Sequence, residues 1–256
     1  MKGNIFIPTS WNRLNDWQLQ EIAHLYLNTT VDDFADAYLK MILIVYLDSP
    51  TSKRRSWLRK LLKEVPISEL EKHTRYLKEK RDLFRFPQIP GLIKPADRIE
   101  NISARQFSAI DTFFYIWNKD RSHINLRRLV ASLYRIREQY DDLDLKTVSV
   151  ITDKIPVKQM EAVALAYLFT RKHIEEKFPI VFPPRKESEE EKLEPVFKKK
   201  DDQIVPFDKA LVAMAMDELQ PLGKKQDVNN VRIYEFLSVM SENILYHKAK
   251  QANEGK

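Results

Sequence analysis

The sequence predicts a mainly α-helical protein, and three observations support that fold class. Apolar residues recur with the 3.6-residue period of a helix along most of the chain. Pairs of capping residues precede several of these runs. Glycine is scarce, with 4 in 256 residues, so few positions suit the positive φ of tight turns and phosphate-binding loops. We therefore expect a multi-helix, bundle-like orthogonal domain without a glycine-rich nucleotide-binding motif.

The first two predicted helices form the N-terminal part of the core. Asn15, with Gln18 three residues later, predicts a capped helix with one apolar side. Thr30 and two aspartates open a second helix, whose wide apolar stripe makes it central. The apolar residues are Ile22, Leu25 and Tyr26 in the first helix, and Phe34, Tyr38, Met41, Ile42 and Val45 in the second.

A short third helix is expected after the break at residues 48–50. Its apolar residues share one side, and the other sides carry arginine and lysine. Ser68, with Glu71 three residues later, predicts a further capped helix. The apolar side of the third helix consists of Trp57, Leu58, Leu61 and Leu62.

The helical pattern stops between residues 84 and 95. Three prolines and Gly91 predict an extended segment there, and its side chains remain apolar. Because an apolar loop needs a surface that covers it, we interpret this segment as a candidate docking loop for a partner. Its apolar residues are Phe84, Phe86, Ile89, Leu92 and Ile93.

Two helices follow, and Ser103 with Gln106 caps the first while Asn125 caps the second. The aromatic cluster 113–117 resembles a base-stacking surface, but its helical spacing assigns it to the core. The core residues expected here are Phe107, Ile110, Phe114 and Trp117, then Leu126, Leu129, Val130 and Leu133.

Residues 140–155 are ambiguous, because Val148, Val150 and Ile151 also suit a short strand. Pro156 then begins a long helix. The inner side of that helix is formed by Met160, Val163, Ala164, Tyr167 and Leu168.

The predicted organisation is a helical main domain over residues 1–182, followed by a charged flexible linker over 183–206. The linker contains mostly glutamate and lysine, with little to bury. A C-terminal helical hairpin follows over 207–248, with helices near 207–219 and 228–247, and a disordered tail over 249–256. Gly223 and two lysines form a turn between the helices, because the other residues of a phosphate loop are missing.

Composition excludes several function classes. The absence of cysteine rules out disulfides, thiolate catalysis and sulfur-ligated zinc. No leader peptide opens the sequence, and the longest apolar run, 41–47, is far shorter than the ~20 residues of a membrane span. We expect a cytoplasmic protein that has no cofactor and does not enter membranes.

One metal-like spacing occurs, with Glu21 and His24 on one helical face. A di-iron site needs that motif twice and two further glutamates, and Asp120 with His123 is a poor second copy. We therefore interpret His24 as a packed or half-exposed histidine and predict no metal site. No general acid, base or nucleophile stands out, which favours a non-enzymatic protein.

The net charge of +6 is concentrated in residues 51–81, where eleven basic residues face four acidic ones. The cations of the third helix are candidates for binding phosphates or an acidic protein partner. A simply solvated basic face is the alternative interpretation. The candidate residues are Arg54, Arg55, Arg59, Lys60 and Lys63.

Three pieces of sequence carry a family resemblance. They are residues 7–14 leading into Gln18, residues 102–110 followed by 125–135, and residues 234–240. Together they resemble proteins encoded in bacteriophage and prophage tail gene clusters, some of which are likened to tail assembly chaperones. No catalytic motif defines that family, so the resemblance supplies no active-site residues.

The resemblance implies a helical interaction protein that binds the tape-measure protein or other tail components. It implies a location in the host cytoplasm, or in the virion for a minor structural component. The alternative function is a nucleic-acid-associated protein that binds phosphates through the basic segment 53–81.

Overall fold

The computed structural model describes residues 7–30, 32–47, 49–183 and 207–254. Within these ranges the chain forms twelve α-helices and no extended strand, which confirms the mainly α prediction. The helices are α1 Asp16–Asn28, α2 Phe34–Leu47, α3 Ser52–Glu64, α4 Ile67–Thr74, α5 Tyr76–Glu79, α6 Ala104–Asp120, α7 His123–Leu133, α8 Leu145–Thr152, α9 Val157–Lys177, α10 Phe207–Met216, α11 Lys225–Asn230 and α12 Ile233–Glu254.

The core is built around α9, which packs against α1 and α7. Trp11 fixes the N-terminal segment to this core. Its indole is fully buried and contacts the ring of Phe169 on α9 edge-on at 5.3 Å. The same indole donates hydrogen bonds to the carbonyl oxygens of Tyr76 at 3.0 Å and Lys80 at 2.8 Å. One side chain therefore joins the start of the chain to α5 and α9.

Helix starts depend on capping side chains, and two of the predicted caps are confirmed. Asn15 and Gln18 form the reciprocal capping box of α1, and Ser103 accepts from the amide of Gln106 at the start of α6. Asn125 is not a cap, because α7 begins earlier with Ser122 accepting from the amide of Asn125. A serine at the first suitable position extends the helix by three residues.

Two further local predictions need correction. Ser68 is not a cap, since Pro66 precedes α4 and no side-chain capping bond forms there. The strand alternative for residues 140–155 is wrong, because 145–152 form α8 and only Val148 and Thr152, one helical turn apart, are buried in it. Pro156 precedes the first residue of α9, as expected of a helix-starting proline.

The C-terminal part consists of three helices instead of a two-helix hairpin, and it packs on the main body. Phe207 of α10 contacts Phe107 of α6 at 4.9 Å and Phe236 of α12 at 5.4 Å. The amide of Ile233 donates to the carbonyl oxygen of Ile102 at 2.9 Å. Gly223 forms the predicted turn, with φ of +80°.

The predicted linker and the predicted C-terminal tail have different outcomes. The predicted linker lies outside the described residues, apart from residue 183. The prediction of a disordered tail over 249–256 is wrong for residues 249–254, which continue α12 with exposed side chains up to residue 253. In the described ranges no helix has the length and apolar character of a membrane span.

Candidate functional site

Helix α3 is held by one side, and this determines which residues it exposes. Thr51 caps its start by accepting from the amide of Arg54. Leu58 is buried, and Trp57, Leu61 and Leu62 are half-buried against the core. The helix packs on α2, so its opposite side faces solvent.

Four of the five predicted cations share that exposed side. Arg55, Arg59, Lys60 and Lys63 are exposed, and we call these four residues the basic face. Arg54 differs from them, because it is half-buried and lies at a helical angle between Trp57 and Leu58. The structure therefore corrects the predicted set by removing Arg54 from the exposed cluster.

The basic face has a regular geometry. Arg55, Arg59 and Lys63 follow one another at intervals of four residues, so they form a stripe along the helix. With a rise of about 1.5 Å per residue, the stripe repeats every ~6 Å and spans ~12 Å. Lys60 widens the stripe on one side. A row of cations at this spacing suits a linear array of negative charges.

The cations of the basic face form no ion pair with any described residue, and neither does Lys53 on the same helix. Some other cations of the described residues have acidic partners. Lys72 pairs with Glu69 at 2.7 Å, and Arg137 pairs with Asp144 at 2.6 Å. Since α3 contains no acidic residue before Glu64, its positive charge is left uncompensated within the helix.

The first turn of α3 places Lys53, Arg54 and Arg55 beside the positive end of the helix dipole. A cation at this end is repelled by the helix dipole, and each such charge changes the stability of a helix by ~0.3–1 kcal/mol. A helix selected for stability alone would carry acidic residues in that turn. This local conflict is of the kind that functional sites retain.

The chain itself covers most of the apolar segment 84–93, which contradicts the predicted docking role for its three buried residues, while Phe84 and Ile93 are half-buried. Phe86, Ile89 and Leu92 are buried in the core of the chain itself. Tyr134 donates a hydrogen bond to the carbonyl oxygen of Pro87 at 2.5 Å. A short antiparallel bridge joins Ile93 to Arg135, the residue after Tyr134.

Phe84, the first residue of this segment, is half-buried. Its ring lies 4.7 Å from the guanidinium of Arg98 and 5.3 Å from the ring of His173. Burial and the nearby charges of Arg98 and Lys177 lower the pKa of His173. Both ends of the segment therefore contact residues of the same chain.

Glu21 and His24 contact different side chains of α9. Glu21 accepts from Lys158 at 2.8 Å, while His24 contacts the carboxylate of Glu161 at 2.7 Å. Asn28 donates to the other oxygen of Glu161 at 2.8 Å. No cluster of three candidate metal ligands occurs in the described part of the chain. His24 is half-exposed, as the sequence indicates.

A buried polar cluster between α6 and α9 was missed at the level of sequence. The guanidinium of Arg171 donates to Asp111 at 2.7 Å and to Glu175 at 2.8 Å, and the hydroxyl of Tyr167 contacts Asp111 at 3.2 Å. Burial lowers the pKa of Arg171, but Asp111, Tyr115, Glu175 and Tyr167 together outweigh burial and raise it. Asp111 lies one helical turn after Phe107, on the inner side of α6. That spacing is the sequence signal that could have indicated a buried carboxylate.

The Asp111–Arg171 cluster serves structure. The ring of Phe182 covers the guanidinium at 4.4 Å, and both charged residues are almost fully buried. A charge pair enclosed in this way links α6 to α9. The aromatic cluster beside it is also core, with Phe114 and Trp117 buried.

No protein-family model, no curated protein and no solved structure matches the chain.

Proposed function

We propose that this chain is a non-enzymatic interaction protein of phage-like assembly, and that it binds an acidic protein partner through the basic face. The observation that supports the proposal is the row of cations on α3 that have no ion-pair partner among the described residues. The resemblance to proteins of phage tail gene clusters supports tail or assembly components as the partners.

The physical basis is charge complementarity. An acidic surface supplies the counter-charges that α3 lacks, and long-range attraction steers the two proteins together. Because exposed charges are screened over about 8 Å at physiological salt, the association rate should fall as salt rises. Binding through the half-buried Trp57, at the edge of the basic face, adds apolar contact area.

A second candidate function is the binding of nucleic-acid phosphates, and the arginines favour it. Arg55 and Arg59 stand on one stripe, and a guanidinium matches the geometry of phosphate oxygens. Such binding is independent of sequence and falls steeply with salt through the release of counterions. Nuclease treatment separates this function from protein binding.

The experiment is an affinity capture of the tagged full chain from its native host, with and without nuclease, at two salt concentrations. Captured proteins are identified by mass spectrometry. The test variant replaces Arg55, Arg59, Lys60 and Lys63 with glutamine. The matched control removes the same charge from exposed lysines elsewhere, by glutamine replacement of Lys146, Lys154, Lys248 and Lys250.

We expect the wild type and the control to recover an acidic assembly protein after nuclease treatment, and the test variant to lose it. Recovery that disappears with nuclease and at higher salt would instead establish the second candidate. Equal recovery of the same partners by all three chains would refute a role of the basic face in either function.

A further inference from the structure

A cavity of about 150 Å³ lies where the C-terminal helices meet the main body. Three segments line it: the residues before α6, the loop after α7, and the stretch from the last residue of α11 to the residue before α12. Since a single water needs only ~10–15 Å³ of such space, the cavity can hold a small molecule. The lining residues that matter are Asn101, Ser103, Arg135, Glu138, Asn230 and Arg232.

Arg135 is the most informative of these residues. Its side chain is 7% exposed, and it forms no ion pair with any described residue. Nη1 donates to the carbonyl oxygen of Glu138 at 2.5 Å, whereas the buried Nε has no hydrogen-bond partner. A buried guanidinium nitrogen without a partner is costly, and the nearby carboxylate of Glu138 offsets only part of that cost, because the pKa of Arg135 stays below its usual value. An anion in the adjoining cavity would relieve the remaining cost.

The surroundings of Arg135 add further positive potential. Burial is the largest cause that lowers the pKa of Arg135, and the carboxylate of Glu138 opposes it. Arg232, on the C-terminal side of the cavity, is exposed, and its charge lowers the pKa of Arg135 further. Ser103 caps α6, and Arg232 immediately precedes α12. An antiparallel bridge between Ser103 and Arg232 brings the positive ends of both helix dipoles to the cavity.

We propose that this cavity binds the phosphate group of a small phosphomonoester between the guanidinium groups of Arg135 and Arg232. Two guanidinium groups and two helix N-termini suit a dianion better than a singly charged carboxylate. The side chains of Asn101, Ser103 and Asn230 supply neutral donors for the remaining oxygens. This site is separate from the basic face of α3 and is independent of the proposed function.

Glu138 makes the proposal testable in two directions. It is the one acidic residue among those that line the cavity, and it is exposed. Its carboxylate repels a bound phosphate, whereas Arg232 attracts it. Arg232→Gln should therefore weaken phosphate binding, and Glu138→Gln should strengthen it. Arg135 is too deeply buried to serve as the first variant, because its loss also disturbs the local structure.

The measurement is calorimetric titration of the full chain with inorganic phosphate at constant ionic strength. We expect saturable binding that Arg232→Gln weakens by about tenfold or more and that Glu138→Gln strengthens. A thermal unfolding midpoint that rises with phosphate, and rises less in Arg232→Gln, provides the second readout. Arg127→Gln, an exposed arginine on α7, is the matched control and should bind as the wild type does.

Three outcomes would overturn the proposal. Absence of saturation in the wild type would show that the cavity takes no phosphate. Unchanged binding in both Arg232→Gln and Glu138→Gln, with loss in the variant of the basic face, would place the phosphate on α3. Equally tight binding of acetate, lost in Arg232→Gln, would show a carboxylate site in place of a phosphate site.

Discussion

The apolar segment 84–93 and the helix α3 differ in how the fold uses them, although both look like docking surfaces in the sequence. The chain buries Phe86, Ile89 and Leu92 within its own core. It leaves the four cations of the basic face in solvent. Apolar side chains gain free energy from any cover, including one from the same chain, whereas unpaired charges lose free energy on burial. An uncompensated row of charge is therefore the better guide to a partner surface.

The sharpest test of this contrast is Phe86→Ala. Because the ring is 1% exposed, its removal should lower the free energy of unfolding by ~3–5 kcal/mol. Urea unfolding followed by circular dichroism measures the change. Phe84→Ala, at the half-buried start of the same segment, should cost less. A loss below about 1 kcal/mol for Phe86→Ala would mean that the segment contributes little to the core.

Tyr134→Phe tests the polar attachment of the segment. Loss of the hydroxyl leaves the carbonyl of Pro87 without this donor, and we expect a cost of ~1–3 kcal/mol. Tyr246→Phe, at an exposed position on α12, is the control and should change little. If both variants unfold at the same urea concentration as the wild type, the buried bond does not stabilise the fold.

The four glutamine substitutions of the basic face should behave in the opposite way. Exposed substitutions usually change stability by less than ~0.5 kcal/mol each, so we expect a total change below ~2 kcal/mol. The same unfolding experiment should therefore show an intact cooperative transition, while partner capture is lost. A variant that loses its helical signal would instead assign α3 a structural role.

Lys53→Glu should have the smallest effect, and it should be stabilising. An acidic residue in the first turn of α3 complements the helix dipole, so we expect a gain of ~0.3–1 kcal/mol at low salt. Lys53→Gln should give part of that gain, and high salt should reduce both. A loss of stability in Lys53→Glu would show that Lys53 has an anionic neighbour after all.

Local signals predicted the fold well where one residue decides a helix start. Asn15 and Ser103 have the capping spacing and do cap their helices. Ser122 and Asn125 both suit a helix start and stand three positions apart, so their types alone do not decide which one caps α7; Ser122 does. The three-helix form of the C-terminal part depends on α11, whose six residues are too few to show a helical period.

The candidate sites also differ in how far local sequence patterns predict them. The exposure of the basic face follows from the period of Leu58, Leu61 and Leu62 and was predictable. The burial of segment 84–93 depends on Tyr134, which is distant in sequence, and no local pattern reveals that contact. The cavity beside Arg135 is harder still, since its walls come from three separate parts of the chain.

The bridge between Ser103 and Arg232 has a consequence for synthesis on the ribosome. The start of α6 is complete only when residues 231–233 pair with residues 102–104, and Phe107 is covered only when Phe207 arrives. Closing so long a loop carries an entropic cost and favours late formation. The nascent chain therefore exposes an apolar patch on α6 for much of its translation, and a chaperone that recognises apolar surface would meet it there.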